Sequence, residues 1–331
     1  MVIGNQSNMV VYQEQFYTGF VESVQSNLDV FNAAGFNTIS LNTLFHRGQQ
    51  KEAAFFLKSN GIFHRDPTSV AERTPISMSA DDHKSIKIKK GDLYAFTLDS
   101  MRDQGLSPEE MVFNIGRASA ENITEQWRES AVSALVGAYD LAGLQPTGAD
   151  ELVYDDSANT LSTDALIAAM PLFGDRTMKI KAWVMHSKAY WDLVGNQAAS
   201  TTADGVADMV VMSGTPATLG KPVIVVDSPA LVDVDALETG TVNAYRTFGL
   251  VEGAIVINES VMPDVMIENV TGRENLVRQI QAEWSYTIGI KGISYESTDK
   301  NPTDAQLADS ARWNKVYTSK KDLPGIQIYH R

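Results

Sequence analysis

The stretch from Ser107 to Leu141 does most to limit what this chain can become. Ser107-Pro108-Glu109-Glu110 joins a capping hydroxyl, a proline suited to the first helical position and a glutamate that completes a capping box. Apolar residues then return at helical spacing, led by Met111, Ile115, Ile123, Trp127 and Leu135, until Gly143 stops the pattern. The spacing predicts one helix over 107–141, about 50 Å long at ~1.5 Å per residue. Such a helix exceeds the usual globular length and must act as a spine for a larger body.

The residues before it cannot supply that body alone. In 9–33, Val21, Val24, Leu28 and Phe31 fit one helical face, while Tyr12, Phe16, Tyr17 and Phe20 need something large to pack against. Residues 55–97 are polar, charged and broken by Pro67, Pro75 and Gly91. Within them Ser85–Lys89 alternates like a strand with one wet face, and Leu93–Thr97 is a second strand candidate. A two-stranded hairpin is marginal by itself in water, so the reading is an arm and an extended hairpin ordered by contacts elsewhere.

After the spine the pattern becomes mixed. Ser162-Thr163-Asp164 opens a helix to about Leu172. Lys179–Met185 is a strand, and Ser187 starts a short helix closed by Gly195. The stretch 198–216 is rich in small residues, with a possible strand at 209–212. Strands at 223–226, 245–249 and 253–257 complete a mixed sheet with flanking helices. Long β-like stretches in 264–296, above all Val277–Ile290, imply a second sheet. Residues 301–331 are polar, anchored by Trp313, Tyr317 and Tyr329. The fold class is α+β.

Composition removes several functions. There are no cysteines, which rules out disulfides, thiolate metal sites and cysteine nucleophiles together. The formal net charge of −14 disfavours a protein that grips nucleic acid by its phosphates. The one basic run is KSIKIKK, with Lys84, Lys87, Lys89 and Lys90, which reads as a solvated strand face or a contact to an acidic neighbour. The N-terminus lacks the pattern of a secretory signal, and no apolar run approaches the ~20 residues of a membrane span. No membrane is expected, and a reducing cytoplasm fits.

Chemistry is equally scarce. TLGKPVIVVDSPAL (218–231) resembles a phosphate loop only superficially. Gly214 and Gly220 are separated by five residues, Pro222 follows Lys221 where a hydroxyl is needed, and Asp227-Ser228-Pro229 is a turn rather than a helix start. It reads as a tight turn feeding a buried strand. His46, His64, His83, His186 and His330 form no close ligand pair. His186, at a strand end before a helix, and Asp227, after a strand, are the best catalytic candidates, with capping and turn roles the simpler readings. Asp81-Asp82 and Asp233-Val234-Asp235 lack the ligand count of a calcium loop. Asn122 and Asn269 match a glycosylation pattern that matters only after secretion. No catalytic, cofactor or metal site is assigned. An arm, a hairpin, a spine and two sheets without a convergent polar site describe a subunit of a large assembly.

In that order, with MHSKAYWDL (185–193), TLGKPVIVVDSPAL (218–231) and GRENLVRQIQAEWSYTIGIKGISY (272–295), the chain resembles the major capsid proteins of tailed bacteriophages, those with long non-contractile tails most of all. The resemblance covers nearly the whole chain. It implies the fold shared by phage and herpesvirus shells: an N-terminal arm at 1–54, an extended loop at 55–97, a peripheral domain at 98–141 and 258–300, and an axial domain at 142–257. Residues 301–331 form a C-terminal segment of unassigned packing.

The implied function is self-assembly, as pentamers and hexamers, into an icosahedral virion capsid around double-stranded DNA, held without sequence-specific binding. Assembly would take place in the host cytoplasm. The implied partners are a portal protein, a possible decoration protein and a separate scaffolding protein. The last follows because the spine begins too early to leave room for the cleaved N-terminal scaffold of many relatives. Some relatives crosslink a loop lysine to a neighbour's asparagine. Lys84, Lys87, Lys89 and Lys90 lie in that region, but no partner asparagine stands out, and no crosslink is expected. The alternatives are an encapsulin-like nanocompartment, another phage or cell-surface structural protein, and an α/β enzyme built on His186 and Asp227.

Overall fold

The computed structural model describes residues 38–43, 50–56, 80–97, 108–202, 218–233 and 244–331, with isolated positions between them. The helical face expected in 9–33, the strand expected at 209–212, His46, His64, Asp235 and the capping Ser107 lie outside the described residues.

Helix α1 (Pro108–Tyr139) has 32 residues, about 48 Å at ~1.5 Å per residue. Its first half buries one stripe, including Val112, Ile123 and Trp127. From Ser130 to Tyr139 every side chain is buried, a run of small and aliphatic residues (SAVSALVGAY). A helix covered all round lies inside the protein. Here α1 passes from the surface of one sheet into the seam between two.

In chain order the strands are β1 (Ile39–Thr43), β2 (Gln50–Phe56), β3 (Ala80–Thr97), β4 (Val153–Asp156), β5 (Ile180–Met185), β6 (Val223–Val225), β7 (Val232–Asp233), β8 (Ala244–Val251), β9 (Ile255–Val270), β10 (Val277–Ile290), β11 (Ile293–Tyr295), β12 (Trp313–Lys315) and β13 (Gly325–His330). The further helices are α2 (Thr163–Ala169), α3 (Ser187–Thr202) and α4 (Asp304–Leu307).

The first sheet is centred on β10. It pairs antiparallel with β9 from Ile255↔Ile290 to Val270↔Val277, and with β3 from Ile86↔Ile288 to Thr97↔Val277. Strand β1 adds parallel to β9, β2 to β3, and β11 and β12 continue beyond β10. Side chains alternate along β10, so Ile280, Ala282, Tyr286 and Ile288 are buried. The Tyr286 ring lies 6.1 Å from that of Trp127 on α1.

The second sheet has the order β4-β13-β8-β5-β6, with β7 also on β8. Every residue of β8 is buried, as befits a central strand covered on both faces. The C-terminal strand β13 inserts between β4 and β8. Residues 301–331 therefore run from the first sheet, where Trp313 packs edge-on against Tyr295 at 5.0 Å, into the middle of the second.

Four expectations change. The two strand candidates at 85–89 and 93–97 are one 18-residue strand, because β10 pairs straight through Gly91 opposite Glu283. The helix from Ser187 runs past Gly195 to Thr202. Asn196 holds that region by donating to the Leu161 carbonyl at 2.8 Å and to Thr160 Oγ1 at 3.0 Å. The helix opened by Ser162 ends at Ala169 and tightens into a 3-10 segment, Met170–Lys179, with Gly174 at φ 67 breaking it. Residues 255–257 leave the mixed sheet and join the first one, after a turn with Gly253 at φ 65. The Ile255 N–H bonds the Thr38 carbonyl at 3.1 Å, which recruits this segment to β1.

Candidate functional site

The polar groups of the described residues build seams. At the end of α1, Arg246 on β8 is 8% exposed. It donates to Asp140 Oδ2 at 2.8 Å and to Asp233 Oδ2 at 2.9 Å, and lies over the Tyr329 ring at 5.4 Å. The Tyr329 hydroxyl donates to Asp233 at 2.6 Å. One guanidinium thus joins the spine, β7, β8 and β13. Burial raises the Asp140 carboxyl and outweighs the lowering by Arg246. Asp233, raised in the sequence as a cation ligand, has this internal cation instead.

A second seam closes the C-terminal segment over the first sheet. Tyr286 bonds Ser130 Oγ at 2.8 Å, and Ser130 donates to Asp304 Oδ1 at 2.6 Å. Gln126 and Lys90 reach Asp304 Oδ2 at 2.9 and 3.4 Å. Burial drives the Tyr286 phenol above its ordinary range. Beside it, the Asn301 amide accepts from the Lys89 N–H at 2.9 Å and donates to the Lys89 carbonyl at 3.1 Å. It pairs with β3 as a one-residue strand would.

The basic run is therefore not a wet strand face throughout. Lys87 is buried with Ile86 and Ile88, and burial, then Lys89, lowers its pKa. Lys89 is exposed. The Lys84 N–H bonds Ser294 Oγ at 2.9 Å, and Lys84 borders a cleft of about 370 Å³ against Tyr295 and the loop that follows β11.

His186 and Asp227 do come together, with Nε2 3.7 Å from Oδ1. Nδ1 of His186 accepts the Lys188 N–H at 3.1 Å, and Asp227 accepts the Ser187 N–H at 3.0 Å. Both groups cap the start of α3. The Ser187 hydroxyl bonds Asp227 directly, which with its backbone bond holds that exposed carboxyl below the usual range. The serine bypasses the imidazole, so no nucleophile–base–acid relay forms. Lys221 donates to the Ile180 carbonyl, and β6 leads into a 3-10 turn at Pro229–Leu231, so 218–231 is a packed turn and strand. His83 Nε2 donates to the Ile290 carbonyl at 2.7 Å. Among the described residues no cluster of three or more His, Cys, Asp or Glu suits a metal ion. Among them, too, no helix is long and apolar enough to cross a membrane.

His330 is the residue that sequence reasoning missed. It is fully buried on β13, within 3.0 Å of Thr247 Oγ1 and stacked on Tyr245. Burial lowers its pKa from 6.5 to about 4. The unfolded chain therefore takes up a proton near pH 6.5 that the folded chain refuses until about pH 4. Stability should be full above pH 6.5 and fall by roughly 3 kcal/mol as the pH drops to 4. Urea titrations across that range should show the slope in the wild type and lose it in His330→Gln; equal slopes would contradict the assignment.

The same scaffold occurs in known shells. A family model described as Gp13-like, Major capsid protein 13-like, matches residues 8–327. The chain belongs to the Major capsid protein 13-like family. The major capsid protein of Bacillus phage SPP1 is 23% identical over 262 residues, covering 78% of this chain and 76% of that one. Among solved structures, one from Mycobacterium phage Bobi is similar with a TM-score of 0.53 at 9% identity, covering 88% of each chain. The capsid of Ralstonia phage GP4 gives 0.53 at 11% identity, covering 88% of this chain and 86% of that one. The Cyanophage Pam1 capsid asymmetric unit gives 0.52 at 12%, with 86% and 85% covered. At these identities the structures speak for the fold, and the family match for the function. The chain is a structural subunit of a phage capsid, which favours neither the nanocompartment nor the enzyme reading.

Proposed function

We propose that this capsid subunit builds a closed icosahedral shell of pentamers and hexamers around double-stranded DNA. The family match across residues 8–327 carries the reading. The architecture supports it: a buried spine seams two sheets into one body, and apolar side chains stay exposed on both sheets. Leu93 and Met266 lie on the first, and Trp191, 67% exposed, lies on α3 beside the second. Many repeated weak contacts of this kind close a shell. In this reading residues 1–54 are the arm, 55–97 the extended loop, 98–141 with 258–300 the peripheral domain and 142–257 the axial domain. A separate scaffolding protein guides assembly in the host cytoplasm, a portal protein occupies one vertex, and a decoration protein has room outside. The net charge of −14 keeps the inner wall from adhering to the packaged DNA.

Nuclease treatment of particles from the native source tests the contents. Protected double-stranded DNA of uniform length is expected. Particles that hold only protein cargo would favour a nanocompartment.

A further inference from the structure

Two exposed apolar spots, one on the first sheet and one where a 3-10 segment enters the second, are opposite in charge. On the first sheet, Leu93, Gln281 and Met266 share one register row across β3, β10 and β9. Leu93 is 62% and Met266 72% exposed. Strand alternation puts the rows two residues away on the same face. These rows bring Glu268 on one side, and Glu283 with Asp264 on the other. Among the described residues Glu283 accepts from the neutral Gln281 amide alone, at 3.0 Å. No ion pair among the described residues neutralises these three carboxylates.

The opposite case lies at the corner where the 3-10 segment Met170–Lys179 enters β5. Met178 is 84% exposed. Lys179 and Lys181 follow it, both exposed and outside every ion pair among the described residues. Lys221 stands close enough to Lys181 for the repulsion, after burial, to lower its pKa. An acidic chain thus keeps a cationic corner beside Met178, and a face around Leu93 and Met266 on which three carboxylates outnumber the exposed Lys89 one row further along β3.

We propose that the β3–β10–β9 face of one subunit docks on the Met178–Lys181 corner of a second copy. This deepens the shell reading and rests on it. Apolar side chains meet at the centre while carboxylates and ammonium groups pair around them, which fixes register and partner choice. The two faces differ, so the contact is heterologous and repeats head to tail, the kind of contact that closes rings.

The test uses full-length chain in its native assembly setting. Lys179→Glu/Lys181→Glu and Asp264→Lys/Glu268→Lys/Glu283→Lys should each lower the shell fraction on a sucrose gradient by about tenfold or more. Combined, they should restore it to within about threefold of wild type, because the charges match again. Either set alone leaving the yield unchanged, or a combination no better than its parts, would overturn the proposal. Loss from the ribbon set alone would assign that face to a different basic protein and overturn it as well. A wild type that forms no shells would instead show the shell reading failing, and the proposal with it.

Zero-length carbodiimide coupling of wild-type shells guards against misfolded variants. Peptides joining Lys179 or Lys181 to Asp264, Glu268 or Glu283 should form in shells and not in dissociated subunits. Their absence from shells that yield other intersubunit links would contradict the contact.

Discussion

Arg246→Ala should lower the stability of the unassembled subunit by about 3–5 kcal/mol. The arginine is nearly inaccessible, and it neutralises Asp140 and Asp233 from two other elements. Its removal leaves two half-buried carboxylates without their shared cation, and the cost of breaking a charge pair held in the protein sets the magnitude. The effect has a pH signature. Burial already raises the Asp140 carboxyl against the pull of Arg246; without the cation it rises further, so the folded variant binds more protons than the unfolded chain. The deficit relative to wild type should therefore shrink as pH falls from 7 towards 5. Urea unfolding at fixed protein concentration measures both. Arg246→Met with Asp140→Asn and Asp233→Asn should recover much of the loss, since nothing charged is left unpaired. A pH-independent deficit would mean that lost packing of the guanidinium, and not charge, is the cause.

Gly325→Ala should cost about 3–5 kcal/mol, through backbone rather than charge. Gly325 opens β13 at φ 149, and an added methyl would overlap the carbonyl oxygen of Gly249 on β8. Gly249 lacks a side chain for a related reason: a methyl there would meet the Trp183 ring at 2.6 Å. Neither backbone nor a buried indole can retreat cheaply in a close-packed interior. The change should loosen β13 from its place between β4 and β8. Hydrogen exchange should then rise at Ile326 and Ile328 well before it rises in α1. Unchanged protection at those amides would contradict the role given to Gly325.

The spine was legible because its signals are local: a proline and acidic start, apolar recurrence and a glycine stop all fall within one stretch. Strand β10 was legible for the same reason, its alternation being written in its own residues. What the sequence hid depends on distant partners. Nothing near Arg246 announces Asp140 or Tyr329, and Asp233 looked like half of a cation site because its cation comes from another strand. Gly91 read as a break, since a glycine in a strand is tolerated only when a neighbour such as β10 pairs through it. The six residues of β13 carried too little periodicity to place beside β8, although Trp313 and Tyr329 were correctly taken as anchors. His186 and Asp227 were legible as capping residues from their positions beside Ser187, and the geometry gives them that role. His330 gave no signal, because one histidine at the end of a polar segment acquires its meaning only when the second sheet closes over it.

Light scattering with electron cryomicroscopy of particles purified from the native source tests whether this chain builds a closed shell. Hundreds of copies per particle are expected, arranged as pentamers and hexamers, with α1 and the β3–β10–β9 ribbon recognisable in each subunit. A stable monomer, a small ring or a fibre as the native form would contradict it.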